Sequence, residues 1–345
     1  MRKIFTRLAV GALLLLLALM PLAEAVGRQP QLPQTCKDLV FSTEEDFVTQ
    51  GPEPPDGNPI ISDGDLLGLE FGATGVNCAV CARNADLLQN FNVGVDLGLD
   101  AVDLVDSETF LIAFSTELNS SNDGQFTHGD LLVTNGAIIP NQALTFAFEQ
   151  ESIGYDLGLD AVLFIGKPDL IKEFLEKIEG ITRQEWLEDP GSLSRKLEEA
   201  DLDLWFSTEG TWTPPAKPGF LDGDLLSAWD GTIVASNSAL LPLGVPAGIP
   251  NRGVDFGLDS ASNDRSPEPD SLSFSTEILY QDDVDYTDGD VLKYANGVIY
   301  PNSTLVKCFA PKSDFLGLDA YHLVRAPYYT NIYLPLVIKS SSTGQ

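Results

Sequence analysis

One short phrase is written four times along this chain, and it constrains the fold more than any other feature of the 345 residues. Phe-Ser-Thr-Glu recurs, and a second phrase, Gly-Leu-Asp followed by Ala or Ser, comes after each copy. Repeated supersecondary units bury their apolar faces against each other, so four copies predict one repeat architecture. The first phrase begins at Phe41, Phe114, Phe206 and Phe274, and the second at Gly98, Gly158, Gly257 and Gly317.

The second copy has the pattern of four antiparallel strands. Residues 99–105 alternate in polarity, and residues 109–116 are rich in Phe, Leu and Ile, which is typical of strands. The third apolar run, 129–133, is followed by Asn135-Gly136, a pair that tolerates the positive φ angles of a tight hairpin, and then by 137–139. Four strands joined by hairpins indicate a propeller blade.

The two ends of the chain are out of phase with each other. The first copy begins at Phe-Ser-Thr-Glu without a preceding Gly-Leu-Asp strand, whereas the last copy ends with a surplus one, 317–324. We therefore expect the C-terminal strand to join the N-terminal sheet. The predicted fold class is all-β: a four-bladed β-propeller closed by its N- and C-terminal strands, with a helical insertion.

A blade whose inner strand begins with Asp-Ala and is followed by a Phe-rich strand resembles the hemopexin-like four-bladed propeller. The resemblance covers residues 39–324 as architecture, and it implies a binding module with an axial ion and without catalytic activity. Phe-Ser-Thr-Glu stands where that family has an aromatic-Gly-Asp pattern, so only the shape is carried over. The matching dipeptides are Asp100-Ala101, Asp160-Ala161 and Asp319-Ala320, and Asp259-Ser260 departs from them.

The repeat spacing is broken once, by an insertion at residues 166–200. Apolar residues fall on one helical face after Pro168, and Thr182 with Glu185 forms a capping box for a second helix. A serine at 192 or 194 is expected to cap a third helix. Two interpretations remain open: a helical patch that covers one side of the ring, or a lid or partner-docking element.

The chain has the composition of an exported, acidic protein. Residues 1–25 have the basic start, short apolar run and small-residue cleavage site of a signal peptide. The formal net charge of −31 disfavours binding to nucleic acid, and no later run is long enough to span a membrane. We therefore expect a propeller domain over 26–327 and a secreted or cell-surface location. The tail, 328–345, resembles tails of exported bacterial proteins, although an edge strand packed on the propeller is an equal alternative.

Four cysteines in an exported chain predict disulfides, with three possible connectivities. A bridge between Cys36 and Cys308 would join the two ends of the chain. Cys78 and Cys81 form a C-x-x-C, but no second such pair or histidine lies near them, which disfavours a zinc or redox site.

Repeated carboxylates are expected on one face of the ring, where they repel each other unless they are hydrogen-bonded or bind a cation. In one interpretation each aspartate accepts N–H groups in its own turn. In the other the face binds calcium, which prefers six to eight oxygen ligands. Twelve acids recur: Glu44, Glu117, Glu209, Glu277, Asp65, Asp130, Asp224, Asp290, Asp100, Asp160, Asp259 and Asp319. The candidate calcium ligands are the densest clusters, Asp282, Asp283, Asp285, Asp288 and Asp290 in one and Asp63 with Asp65 in the other.

No residue pattern singles out a catalytic centre. Each repeated acid has three equivalents, no Gly-x-Ser-x-Gly elbow is present, and His128 only replaces an aspartate of the other copies. The predicted function is a secreted or cell-surface binding module for a glycan, a protein or a surface polymer, with calcium ordering its acidic face. The alternatives are an extracellular glycoside hydrolase, which uses two carboxylates, or a purely structural surface protein.

Overall fold

The computed structural model describes residues 32–73, 75–148, 155–214, 219–282 and 284–324. All of them belong to the compact unit Gln31–Gln345. The predicted signal peptide, the tail 328–345 and the candidate ligand Asp283 lie outside the described residues.

The described chain is mostly β-sheet, with a few short helices. The helices are α1 Asn84–Leu87, α2 Asn141–Thr145, α3 Pro168–Ile178, α4 Arg183–Glu188, α5 Ser192–Ala200, α6 Asn237–Leu240 and α7 Asn302–Val306. The strands are β1 Leu39–Phe41, β2 Phe47–Val48, β3 Ile60–Ile61, β4 Leu66–Gly72, β5 Gly75–Ala82, β6 Val102–Asp106, β7 Leu111–Phe114, β8 Leu131–Val133, β9 Ile138–Ile139, β10 Val162–Ile165, β11 Asp203–Phe206, β12 Leu225–Ser227, β13 Ile233–Ala235, β14 Ser260–Ser262, β15 Ser273–Ser275, β16 Tyr280–Gln281, β17 Asp285–Tyr286, β18 Val291–Lys293, β19 Val298–Tyr300 and β20 Tyr321–Leu323.

Each repeat contributes one four-stranded antiparallel sheet. In strand order, sheet 1 is β20-β1-β4-β5, sheet 2 is β6-β7-β8-β9, sheet 3 is β10-β11-β12-β13 and sheet 4 is β14-β15-β18-β19. Two small hairpins, β2-β3 and β16-β17, extend from sheets 1 and 4. The strands predicted for the second copy are confirmed in kind and order, with each observed strand shorter than its predicted range.

Sheet 1 contains both ends of the described chain. β20 pairs with β1 in antiparallel register, with Leu39 opposite Leu323 and Phe41 opposite Tyr321. The prediction that the surplus C-terminal strand joins the N-terminal sheet is therefore confirmed.

The apolar core lies between successive sheets. Within the described residues four clusters are found, and each one takes its members from two sheets. They join sheets 1 and 2 (Val40 with Ile112), 2 and 3 (Ala113 with Phe206), 3 and 4 (Trp205 with Phe274), and 4 and 1 (Val291 with Leu67). The first strand of each sheet, meaning β20, β6, β10 and β14 for sheets 1 to 4, contacts the first strands of its two neighbours. β6 and β14 each contact both β10 and β20.

The serine of Phe-Ser-Thr-Glu links each of the first three sheets to the next. Its buried hydroxyl donates to the carbonyl of the leucine in the following Gly-Leu-Asp phrase, so the two repeated phrases are hydrogen-bonded to each other. The three bonds are Ser42 Oγ to Leu99 O at 2.9 Å, Ser115 Oγ to Leu159 O at 2.7 Å and Ser207 Oγ to Leu258 O at 2.7 Å. The fourth serine, Ser275, instead lies 2.6 Å from the hydroxyl of Ser260, which replaces the alanine of the other copies.

An aspartate and an asparagine fix the loops inside every repeat. In sheet 2, Asp130 accepts the N–H groups of Thr127 and Asn141, each at 3.0 Å. The Asn141 side chain donates to Gly158 O at 2.9 Å and accepts Leu157 N–H at 3.1 Å, which holds the entry to the next sheet. These buried groups are satisfied by backbone partners, as the turn interpretation expects. The equivalent pairs are Asp65 with Asn84, Asp224 with Asn237 and Asp290 with Asn302.

The insertion is helical, as predicted, and its apolar face is buried. Ile171 and Phe174 of α3 belong to the cluster between sheets 2 and 3, and Arg183 at the start of α4 forms an ion pair with Asp130 at 2.6 Å. The capping box of Thr182 with Glu185 is confirmed. The serine cap expected for α5 is wrong, because Gly191 precedes that helix and Ser192 is its first residue.

The disulfides are Cys36–Cys81 and Cys78–Cys308. The expected bridge between Cys36 and Cys308 is therefore wrong. Cys78 and Cys81 lie on β5, the outer strand of sheet 1, and each binds a different partner there. The long-range link runs from this strand to the end of the last repeat rather than between the two termini.

Candidate metal centre

Four equivalent aspartates lie just before the first strands β6, β10, β14 and β20. They are Asp100, Asp160, Asp259 and Asp319, the third residues of the Gly-Leu-Asp phrase. Asp160 is 4% exposed and Asp259 is 8% exposed, whereas the other two are partly exposed. In all four the Oδ2 atom is buried, and no N–H or hydroxyl group of the described residues donates to it. The carboxyl group of Asp319 is hydrogen-bonded to that of Glu117. A buried carboxylate oxygen without such a donor is costly, so four equivalent ones call for a physical explanation.

The four glutamates of Phe-Ser-Thr-Glu stand beside these aspartates and are exposed. Each glutamate lies against the glycine of the Gly-Leu-Asp phrase in its own sheet, as Glu209 does at Gly158. A Cβ atom there would overlap the glutamate side chain in its present position, and Gly158 has a φ of +76°, a backbone conformation that favours glycine. We call the following eight residues the acidic mouth: Asp100, Asp160, Asp259, Asp319, Glu44, Glu117, Glu209 and Glu277.

Burial and mutual repulsion raise the pKa values across the acidic mouth. Burial, then repulsion from Asp100 and Glu277, raises the pKa of Asp160 well above its usual value. The pKa of Asp319 rises to about 10, mainly through burial and then through Asp100. The surrounding protein partly desolvates the carboxyl groups of Glu44 and Glu277, although their side chains also reach solvent. This desolvation raises their pKa values to about 7, and repulsion from nearby acids adds to it. The site therefore favours either bound protons or a bound cation.

Three members of the mouth can share one ion. One ligand oxygen from each of Asp100, Asp160 and Glu209 lies within 4.8 Å of the others. Among the described residues this is the one group of three or more His, Cys, Asp or Glu side chains that meets this condition. An all-carboxylate set provides hard oxygen ligands, which suit Ca²⁺ or Mg²⁺ better than softer metals.

His128 makes the mouth asymmetric. Its Nδ1 lies 2.7 Å from Glu209 Oε1 of the next repeat, and this hydrogen bond is the main cause of its raised pKa. The residues that replace His128 in the other copies are acids that also approach the next glutamate, as Asp222 does for Glu277. A glutamate that is repelled in those copies is therefore paired in this one.

The first predicted cluster, Asp63 with Asp65, is partly committed to local contacts. Asp65 is buried, accepts the N–H groups of Ser62 and Asn84 at 3.1 Å, and forms an ion pair with Arg83 at 2.5 Å. Within the described residues Asp63 has no cationic partner, and burial followed by repulsion from neighbouring acids raises its pKa.

The second predicted cluster is distributed over a hairpin and the turn that follows it. Asp285 lies in β17 and Asp282 in the connection from β16. Asp290 accepts the N–H groups of Thr287 and Asn302 at 2.8 and 2.7 Å. Asp288 has a buried Oδ1 without a hydrogen bond and repels Glu44, so it borders the acidic mouth. Because Asp283 is not described, this loop remains a prediction.

The Asp100, Asp160 and Glu209 group was not singled out from the sequence. Its members are among the twelve recurring acids, but the sequence pattern favoured the denser loop clusters as the candidate calcium ligands. The available signal was the setting of each aspartate, since Asp160 stands between Leu159 and an apolar run that forms β10. A carboxylate between apolar residues at the entry to a buried strand is expected to be buried, whereas clustered acids in loops are commonly solvated.

A separate buried ion pair lies farther along the first strands. Asp103 of β6 is fully buried and accepts two hydrogen bonds from Arg265, at 2.7 and 3.0 Å. His322 of β20 lies beside them, with Nδ1 3.3 Å from Asp103 Oδ1 but without hydrogen-bond geometry. Burial lowers the pKa of His322 to about 4, so its ring is neutral near pH 7. This group joins sheets 1, 2 and 4.

Comparisons with protein-family models, curated proteins and solved structures found no match for this chain. In the part of the chain that the structure describes, no helix has the length and apolar character needed to cross a membrane.

Proposed function

We propose that this chain is an extracellular binding module whose acidic mouth is organised by a bound calcium ion. The observation that carries the proposal is the set of four buried Oδ2 atoms, in Asp100, Asp160, Asp259 and Asp319, to which no N–H or hydroxyl group of the described residues donates. Two disulfides support an oxidising, extracellular environment. The partner is a glycan, a protein or a surface polymer.

In this proposal the four sheets are blades of a closed propeller. The pairing of β20 with β1 supports closure, because it makes sheet 1 from both ends of the chain. The succession of apolar clusters, which ends by joining sheet 4 to sheet 1, supports it as well. The four aspartates then surround the axis, because each one starts the innermost strand of its blade.

Calcium fits the residues present. It takes six to eight oxygen ligands in flexible geometry, so carboxylates from different repeats and water can complete its shell. Asp100, Asp160 and Glu209 would hold it, and its charge would offset the repulsion that raises the pKa values of the mouth. The ion would thereby order the glutamates that face solvent.

Titration calorimetry of the chelator-treated chain with CaCl₂ tests the proposal. We expect saturable binding and a higher melting temperature in calcium. Asp160→Asn removes a ligand charge at nearly constant volume and should weaken binding by roughly tenfold or more. Glu179→Gln is the matched control, because it removes one exposed carboxylate from the helical insertion, outside the mouth.

The absence of heat and of any rise in melting temperature would sink the calcium proposal. Equal weakening by Asp160→Asn and Glu179→Gln would also contradict it, because the effect would then be one of net charge rather than of this site.

A further inference from the structure

We propose that the acidic mouth and the exposed apolar side chains around it form a docking surface for a polypeptide segment with a lysine or arginine flanked by apolar residues. The proposal deepens the binding-module function: it rests on the mouth being the binding face and does not require calcium.

Apolar side chains are exposed at repeated positions next to the mouth. Val95, Tyr155 and Val254 each stand three residues before the glycine of a Gly-Leu-Asp phrase, and Leu118 and Ile278 each directly follow a mouth glutamate. With Phe315 in the last repeat, these side chains are between 37% and 59% exposed. We call these six residues the apolar rim. Exposed apolar groups that cluster mark interaction sites, whereas single ones need no explanation.

Backbone hydrogen bonds hold the rim beside the glutamates. Leu118 N–H donates to Leu97 O at 3.0 Å, which brings the loop containing Val95 next to Glu117. Ile278 N–H donates to Phe256 O at 3.2 Å, which does the same for Val254. The equivalent bond from Gly210 N–H to Leu157 O, at 2.9 Å, holds the loop containing Tyr155 beside Glu209. In three repeats, therefore, the same bond fixes the rim loop beside its own mouth glutamate.

The charge of the mouth selects the partner. Bound protons and one divalent ion reduce the charge of the acidic mouth, but its eight members are all carboxyl groups, so the charge that remains is negative. A buried carboxylate, Asp160 Oδ2, also lies within the group without a partner. Lysine and arginine combine an apolar stem with a cationic head, so the stem can contact the rim while the head reaches a glutamate. An acidic polymer would be repelled from the same surface.

The test uses three acetylated and amidated probe peptides, Ser-Leu-Lys-Leu-Ser, Ser-Leu-Glu-Leu-Ser and Ser-Ser-Lys-Ser-Ser, titrated into the full exported chain and followed by NMR. We expect the first to bind at saturating calcium, at least about tenfold more tightly than either of the others. Its binding should weaken as NaCl rises, because exposed charges are screened.

The double variant Leu118→Ser with Ile278→Ser should weaken the first peptide by roughly tenfold through lost apolar contact. Leu243→Ser is the matched control, since Leu243 is 93% exposed but lies outside the rim. Calcium affinity should be unchanged in both variants, because neither removes a ligand oxygen.

Equal or tighter binding of the glutamate peptide or of an acidic polysaccharide would overturn the proposal, as would no binding of the lysine peptide. Equal effects of the rim variant and Leu243→Ser would also overturn it. Loss of calcium binding with peptide binding intact would overturn only the calcium proposal.

Discussion

Replacement of His322 tests the buried ion pair with a signed pH dependence. Burial of the imidazole lowers the pKa of His322 to about 4. The nearby charge of Asp103 opposes this shift, and that of Arg265 adds to it. In the unfolded chain the ring titrates near 6.5. Between these two values the unfolded state therefore binds a proton that the folded state does not.

The magnitude follows from the two pKa values. Each unit of difference corresponds to about 1.4 kcal/mol, so the fold loses roughly 3 kcal/mol through His322 as the pH falls from 7 to 4. His322→Gln removes this contribution while keeping a polar side chain. The stability of the wild type relative to the variant should therefore be constant above pH 7 and should fall by roughly 3 kcal/mol at pH 4.

Urea unfolding of both proteins at steps from pH 7.5 to 4 measures this difference, and the titration of groups that do not interact with His322 cancels from it. His128→Gln is the control for which the pH dependence of stability should have the opposite sign. In the wild type the hydrogen bond from His128 to Glu209 raises the pKa of His128. The advantage of the wild type over this variant should be present at low pH and lost as the pH rises through that pKa. A difference for His322→Gln that stays constant, or grows in favour of the wild type on acidification, would refute the reasoning.

Three further results are expected from urea unfolding. Cys78→Ser with Cys308→Ser removes a bridge between residues 230 positions apart and should cost about 2–5 kcal/mol. Ser115→Ala leaves the buried Leu159 carbonyl without its side-chain donor and should cost about 1–2 kcal/mol; an unchanged midpoint would show that the link between sheets is dispensable. Gly158→Ala places a Cβ at a φ of +76° and against a mouth glutamate, so it should lower both stability and calcium affinity; retention of both would contradict the packing described.

Much of the fold could be predicted because the same strand pattern occurs in four copies along the sequence. The strands of each copy, the capping box at Thr182 and the pairing of β20 with β1 all follow from local patterns and from the phase of the repeat. The strands and the capping box depend on residues close in sequence. The pairing of β20 with β1 follows from the number of strands in the first and last repeats, which the sequence alone shows.

The disulfides could not be predicted in the same way. Cys78 and Cys81 are three residues apart, but they bind Cys308 and Cys36. Which cysteines meet depends on how β5 lies beside the last repeat, and spacing along the chain does not contain that distance.

The candidate site was predicted as a face but not as a set of ligands. Twelve recurring acids were placed together, and the structure divides the eight aspartates among them into two classes. Asp65 and its equivalents are satisfied by backbone N–H groups, whereas Asp160 and its equivalents have a buried oxygen to which no N–H or hydroxyl group of the described residues donates. Repetition alone makes the two classes look alike, and their different hydrogen-bond partners separate them.

Anomalous scattering from crystals grown in calcium tests the central claim most directly. The account predicts an anomalous peak between the carboxylates of Asp100, Asp160 and Glu209, with ligand distances of about 2.3–2.6 Å. A map with no peak there, or with calcium only at the loop from Asp282 to Asp290, would contradict it.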